Sequence, residues 1–183
     1  GDIFRGKVVR VMPGMEAAFV EIGLDRAAFI HASDIEEIDG EGFECKVDLP
    51  RQIQELLREG QYLIVQVAKD AISTKGARLT THLTLPSRNL VYLPRSKHIG
   101  ISQRLENEDE RSRLLELLDS ILEGESWQGR GGFIIRTAAE GATAEEFRED
   151  ICYLKRLWTK VDERIGRAEK ICSLYGERAL YMR

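Results

Sequence analysis

Along Ala17–Ile22 apolar and polar positions alternate with a period of two: Ala18, Val20 and Ile22 fall on one face, Ala17, Phe19 and Glu21 on the other. Gly23–Arg26 supplies a turn, and Ala27–His31 returns with Ala28 and Ile30 opposite Ala27, Phe29 and His31. The stretch predicts a β-hairpin. Large rings are commonly core residues, so either face could be the buried one. If the aliphatic face is the core, Phe19 and Phe29 both look outward, where a base can stack on them.

The same period runs through the first half of the chain. Asp2–Met12 is β-branched and alternating, and Pro13-Gly14 ends it. Residues 34–48 are acidic and glycine-bearing with little periodicity, and their charge would repel phosphates. Pro50–Glu59 predicts a short helix closed by Gly60, and Gln61–Asp70 a fourth strand. Ala77–Thr84 predicts a fifth strand, ended by Pro86. Five short strands with a helix between the third and fourth predict an OB-type barrel over 1–86, carrying an acidic and helical insertion over 34–59. Such barrels bind single strands on the second and third strands and adjoining loops, which is where Phe19, Phe29 and His31 fall. Lys75 and Arg78, near the start of the fifth strand, could supply phosphate contacts.

After Pro86 the period changes. Leu90–Pro94 and Ile99–Leu105 predict short strands, and 107–122 predicts a helix with acidic residues at its start. Gly131–Thr137 predicts a buried strand, and Thr143 with Glu146 a capping box for a helix carrying Phe147, Ile151, Leu154, Trp158 and Val161 on one stripe. This is a second, α+β unit over 87–164. The fold class is therefore mainly β plus α+β. The remainder, 165–183, is polar, then weakly helical, and is expected to begin a further domain.

Composition narrows the function classes. The chain has 183 residues, is 43% hydrophobic and 32% charged, and carries a formal net charge of −4. A nucleic-acid site must therefore be a local patch. No apolar run is long enough to span a membrane, so no membrane partner is expected. Cys45, Cys152 and Cys172 form no C-x-x-C pair, which fits a reduced, cytoplasmic setting and argues against a zinc site within the chain. Neither a nucleophile elbow, nor a P-loop, nor a zinc-protease helix occurs, and no catalytic or metal-ligating constellation stands out. The most suggestive polar pair is Arg136-Thr137, where a buried strand ends in a guanidinium fork and a hydroxyl suited to a phosphate. A surface salt bridge is the plainer alternative.

Several blocks coincide with a known family. They are Ile3-Phe-Arg-Gly-Lys-Val, Glu16-Ala-Ala-Phe-Val-Glu-Ile-Gly, Ala28-Phe-Ile-His-Ala-Ser-Asp, Thr74-Lys-Gly-Ala-Arg-Leu-Thr-Thr, Leu85-Pro-Ser-Arg, Ile101-Ser-Gln-Arg and Phe133-Ile-Ile-Arg-Thr-Ala. With them the chain resembles the N-terminal part of the ribonuclease E/G family, nearer its ribonuclease G branch. The resemblance implies an S1-type RNA-binding domain followed by a 5′-sensor domain. Both belong to a metal-dependent, single-strand-specific endoribonuclease of RNA processing and decay, acting in rRNA maturation and mRNA turnover.

Carried onto this sequence, the resemblance makes Phe19, Phe29 and Lys75 RNA-gripping residues. Arg136 and Thr137 become the pair on the 5′-monophosphate, with Val91 against the terminal base. An arginine of the ribonuclease E branch aligns with Gln103, beside Arg104, which leaves one phosphate contact open. His31 and Arg78 complete the expected RNA-binding set, and Arg104 the expected phosphate-binding set. The resemblance further implies Mg²⁺ for catalysis, Zn²⁺ for the subunit link and a homo-oligomer, all through parts of the family not recognised in this sequence. The chain itself is expected to need no cofactor, and to bind single-stranded RNA without cutting it. The alternative is a non-catalytic S1-type module of a translation or ribosome-associated factor.

Overall fold

The computed structural model of the chain describes residues 1–46, 50–72, 74–124 and 131–176. Part of the acidic stretch, one residue of the 71–76 loop and the tail from 177 thus lie outside the described residues. The chain divides into two compact units. Gly1–Asp39, Cys45–Leu83 and the described residues from Val161 on make the first; Gly40–Glu44 with Thr84–Lys160 makes the second.

The first unit contains β1 (Ile3–Met12), β2 (Ala17–Glu21), β3 (Ala28–His31) and the two-residue β4 (Glu37–Ile38). After β5 (Glu44–Cys45) come α1 (Ile53–Leu56), β6 (Tyr62–Lys69) and β7 (Arg78–Thr80). Hydrogen bonds run in the order β1-β2-β3-β7-β6, and β6 returns to β1 to close a five-stranded barrel. The β3–β7 pairing is parallel and the others antiparallel. The aliphatic face of the hairpin is the core: Ala18, Val20, Ile22, Ala28 and Ile30 are buried with Phe4, Val8, Val65 and Leu79. Phe19 and Phe29 alternate with these residues and point the other way. Gly76 is required at its position, because a Cβ there would stand 2.2 Å from the Ala27 carbonyl oxygen. The close approach lets the Phe29 N–H donate to the Ala77 carbonyl at 2.9 Å, seating β7 beside β3.

α1 is a single turn rather than the predicted Pro50–Glu59. Ile53 and Leu57 are buried in the barrel core with Leu56 packed against it, and Leu57 has already returned to extended backbone. Gly60, at φ +86°, then turns the chain into β6. The helix start is fixed by Glu16, whose carboxylate accepts the Ile53 N–H at 2.9 Å.

The tail differs from expectation. Residues 165–167 continue the preceding helix, and beyond it the chain forms a strand, β12 (Cys172–Tyr175), instead of a weak helix, and this strand belongs to the first unit. It pairs antiparallel with Ile3–Arg5 on the edge that β1 offers ahead of β2. Leu174 and Tyr175 are buried there, so an available strand edge and apolar burial outweigh weak helix propensity.

The second unit has a sheet in the order β10-β11-β9-β8, with β8 (Leu85–Pro86), β9 (Leu90–Leu93), β10 (Ile99–Ile101) and β11 (Gly132–Ile135). β10 runs parallel to β11, so both strands end on the same side of the sheet. Gly132 allows this pairing, since a Cβ would lie 1.9 Å from the His98 carbonyl oxygen. α2 (Glu108–Gly124) contributes Leu114, Leu118 and Ile121 to the core, and α3 (Ala144–Arg167) contributes Phe147, Ile151 and Leu154. Tyr92 packs 5.1 Å from the Phe133 ring centroid and 6.5 Å from that of Trp158. The predicted capping box holds: Thr143 Oγ1 accepts the Glu146 N–H at 3.2 Å, and Glu146 Oε1 accepts the Thr143 N–H at 3.4 Å. The predicted strand to Leu105 stops at Ile101, where Ser102–Leu105 closes a turn instead.

Candidate nucleic-acid interface

Cross-strand register brings the barrel residues together. Phe19 on β2 stands directly opposite Phe29 on β3, so the two rings form one platform. Both are half-buried, enough to be held by the strands and open enough to be stacked on. His31 lies two residues from Phe29 on the same face, its ring edge-on to Phe29 at 5.6 Å.

The row continues past the rings. Arg10 on β1 pairs with Phe19, and Arg78 on β7 pairs with Phe29, giving cation, ring, ring, cation across four strands. A bulge between Val8 and Arg10 turns both Val9 and Arg10 outward. The Arg10 side chain makes no ion pair or hydrogen bond among the described residues.

Arg78 is held differently. Its Nε donates to Asp34 Oδ2 at 3.0 Å and its Nη2 to Asp34 Oδ1 at 3.2 Å, a bidentate clamp. Hydrogen bonding to the Asp34 carboxylate, and then its charge, raise the guanidinium above its ordinary range. Asp34 Oδ2 also accepts the His31 N–H at 3.3 Å, and the Asp34 carbonyl accepts the Thr81 N–H at 3.0 Å. Arg78 therefore secures the end of β3 to β7, with part of its fork committed to a carboxylate. Lys75 is exposed and sits where the backbone folds on itself, Ile72 and Lys75 exchanging hydrogen bonds of 3.2 and 2.9 Å.

In the second unit, the parallel ends of β10 and β11 juxtapose two hydroxyls. Ser102 Oγ and Thr137 Oγ1 are 2.9 Å apart and hydrogen-bonded. Arg136 is exposed and donates from Nη1 to the Ser87 carbonyl at 2.6 Å, while its N–H donates to the Asn89 carbonyl at 2.8 Å. The Ser87–Asn89 loop is in turn held from α3: Asp150 Oδ2 accepts from the Ser87 hydroxyl at 2.9 Å and the Asn89 N–H at 2.7 Å. α2 holds the other side. Arg111 Nη1 donates to the carbonyls of Ser102 at 2.7 Å and Leu105 at 2.8 Å. Glu110 accepts from Arg113 and, at 2.8 Å, from the Gly141 N–H. These bonds, Arg113 first and Gly141 second, lower the Glu110 carboxyl below its ordinary range.

Val91, on β9, is half-buried and pairs with Ile134 on β11. Gln103 and Arg104 follow Ser102 and are both exposed, with the Arg104 N–H on Ser102 Oγ at 3.3 Å.

Sequence reading missed Arg10, Asp34, Ser102 and Asp150. Ser102 could have been found from the parallel pairing of β10 and β11, which sets the residues after each strand side by side. Arg10 was hidden by the bulge, and Asp34, although it closes one of the family blocks, was given no role because it opens the acidic stretch. Asp150 carried no signal beyond a polar helix face.

A closed five-stranded barrel with an outward ring pair, joined to a unit that ends a buried strand in Arg-Thr, defines an OB-type RNA-binding protein. Residues 1–80 match the S1 RNA binding domain, and residues 84–183 match the Ribonuclease E/G family. The chain belongs to the ribonuclease E/G family. Over its whole length it is 54% identical to Ribonuclease G of Escherichia coli strain K12 and 50% identical to Ribonuclease G of Haemophilus influenzae, covering 37% of each. It is 35% identical to Ribonuclease E of Buchnera aphidicola, covering 18% of that protein. The chain thus spans 37% of the length of these ribonuclease G relatives. A free-standing S1 module of a translation factor is not favoured, because the chain beyond the barrel strands, residues 84–183, matches the ribonuclease family.

Proposed function

We propose that this chain is the RNA-recognition portion of a metal-dependent endoribonuclease that cuts single-stranded RNA during rRNA maturation and mRNA turnover in the cytoplasm. The observation that carries the proposal is the Phe19–Phe29 pair, two half-exposed residues directly opposite each other across β2 and β3. Bases stack on the rings, worth roughly 1–3 kcal/mol each, while Arg10 and Lys75 meet the backbone phosphates. His31 extends the platform along β3.

The second unit reads the RNA end. The unused donors of Arg136 and the Thr137 hydroxyl take a 5′-monophosphate, Val91 packs on the terminal base, and Arg104 stands beside Gln103, which aligns with the arginine of the ribonuclease E branch. Anchoring the end raises the effective concentration of the cleavable segment. A triphosphate brings charge and bulk that a site for one phosphate does not match.

Cleavage is assigned to another part of the parent protein, with Mg²⁺ for the chemistry and Zn²⁺ for a link between copies. The three cysteines of this chain sit on β5, α3 and β12 and are unpaired, a poor fit to a thiolate zinc site. Fluorescence anisotropy with a labelled single-stranded oligomer tests the binding assignment: single strands should bind and the same sequence in a duplex should compete weakly. Equal affinity for the duplex would overturn it. Incubating the chain with single-stranded RNA and Mg²⁺ should leave the RNA intact, and stoichiometric cutting would overturn the division of labour.

A further inference from the structure

Outside the Phe19–Phe29 platform, the outer face of β1 and β6 carries a second cluster of cations around a ring. Lys7 on β1 pairs directly with Tyr62 on β6, and Arg5 with Ile64. The Arg5 guanidinium carbon lies 3.9 Å from the Tyr62 ring centroid, and the Lys7 ammonium 5.6 Å. Tyr62 is 38% exposed, open enough for its ring to be stacked on. Neither cation has an acidic partner among the described residues. Glu21, the neighbour of Lys7 on β2, is turned to the hairpin and accepts the Gly23 N–H at 2.8 Å.

Arg5 Nη1 adds an independent sign. It is sealed from solvent and has no hydrogen-bond acceptor. A buried donor without a partner is costly, and more so on a charged group. An acceptor arriving beside Tyr62, with a small rotation of that exposed ring, would satisfy it.

The cluster is continuous with the platform. Glu21 and Phe19 are two residues apart on one face of β2, and Lys7 and Arg10 stand opposite them on β1. Two strand spacings and two residues along a strand separate Phe19 from Tyr62 by about 12 Å along the curved wall of the barrel. An OB-type fold commonly covers roughly 4–16 nucleotides, so both rings fit on one strand of RNA.

We propose that Tyr62, Arg5 and Lys7 form a second single-strand subsite on the barrel. A base stacks on the open face of Tyr62, backed by Arg5, and Lys7 and Arg5 meet the adjoining phosphates. The inference rests on the RNA-binding reading of the barrel, and its test separates the two. The probe is oligouridylate with a 5′-hydroxyl end, which silences end sensing, in lengths of about 4 and about 12 nucleotides.

Tyr62→Ala should weaken the longer oligomer about tenfold and leave the shorter one unchanged, because the shorter one occupies the Phe19–Phe29 platform. Tyr62→Phe should restore affinity, since stacking needs the ring and not the hydroxyl. Lys7→Gln should flatten the dependence of log affinity on log salt by about 0.7. An unchanged longer-oligomer affinity in Tyr62→Ala, with a loss in Phe19→Ala, overturns the subsite and leaves the platform standing. Equal losses for both lengths in Tyr62→Ala also overturn it. No effect of Phe19→Ala on either length overturns the RNA-binding reading itself.

Discussion

On the barrel, Phe19 and Phe29 are oriented by what lies beneath them: the buried strand residues Ala18, Val20, Ala28 and Ile30 fix the backbone, and alternation does the rest. In the second unit, Arg136 and Thr137 are oriented by what lies beside them, through the Ser87 carbonyl, the Ser102 hydroxyl and the clamps from Asp150 and Arg111. The difference matches the roles proposed for the two sites. A ring offers a wide, tolerant surface to any base, so strand geometry positions it well enough. A phosphate is recognised through directed donors, whose value falls steeply with misalignment, so polar bonds must hold them.

The sharpest break in this comparison comes from removing the rings. Phe19→Ala with Phe29→Ala should weaken single-stranded RNA binding at least about thirtyfold, two stacks at roughly 1–3 kcal/mol each. Thermal unfolding should shift little, because the residues beneath the rings are untouched. Arg136→Ala should have the next largest effect, about a tenfold loss confined to 5′-monophosphorylated oligomers, as expected for a charge-assisted hydrogen bond. Comparing phosphorylated and hydroxyl-ended oligomers in one titration series checks it.

A clamp residue should act on the same readout without touching RNA. Asp150→Asn loosens the Ser87–Asn89 loop that supplies the acceptor for Arg136. The preference for a 5′-phosphate should fall about threefold, a hydrogen bond's net worth being roughly 0.5–1.5 kcal/mol. Affinity for a hydroxyl-ended oligomer should stay as it was.

The smallest effect concerns pH. The Glu110 carboxyl is held below its ordinary range, so its contribution to stability is present above the unfolded-state value of about 4.3 and is lost as pH falls through the folded value. Glu110→Gln should therefore flatten the acid limb of melting temperature against pH and leave the neutral plateau nearly level. An unchanged acid limb would detach α2 from the loop at Gly141.

Sequence reading was strongest where a single period decides the answer. The hairpin, β6, α2 and the Thr143 cap could be placed because burial on one face repeats every two or every 3.6 residues. It failed where geometry comes from a partner distant in sequence. β12 was missed because its burial depends on the edge that β1 exposes at Ile3–Arg5, near the other end of the chain. The same holds for the site. Phe19, Phe29 and Arg136 were visible in their own strands, whereas Asp34 on Arg78 and Asp150 on Ser87 join residues 44 and 63 positions apart.

The central claim is that the barrel grips the strand while the second unit reads its end. It is tested most directly by measuring the affinities of the unmutated chain, the double phenylalanine variant and Arg136→Ala for one oligomer carrying either a 5′-phosphate or a 5′-hydroxyl. The account predicts that the unmutated chain prefers the phosphate. Losing the rings should weaken both oligomers in equal proportion, while Arg136→Ala removes the preference and leaves hydroxyl-ended affinity intact. Equal affinity of the unmutated chain for the two ends would contradict it.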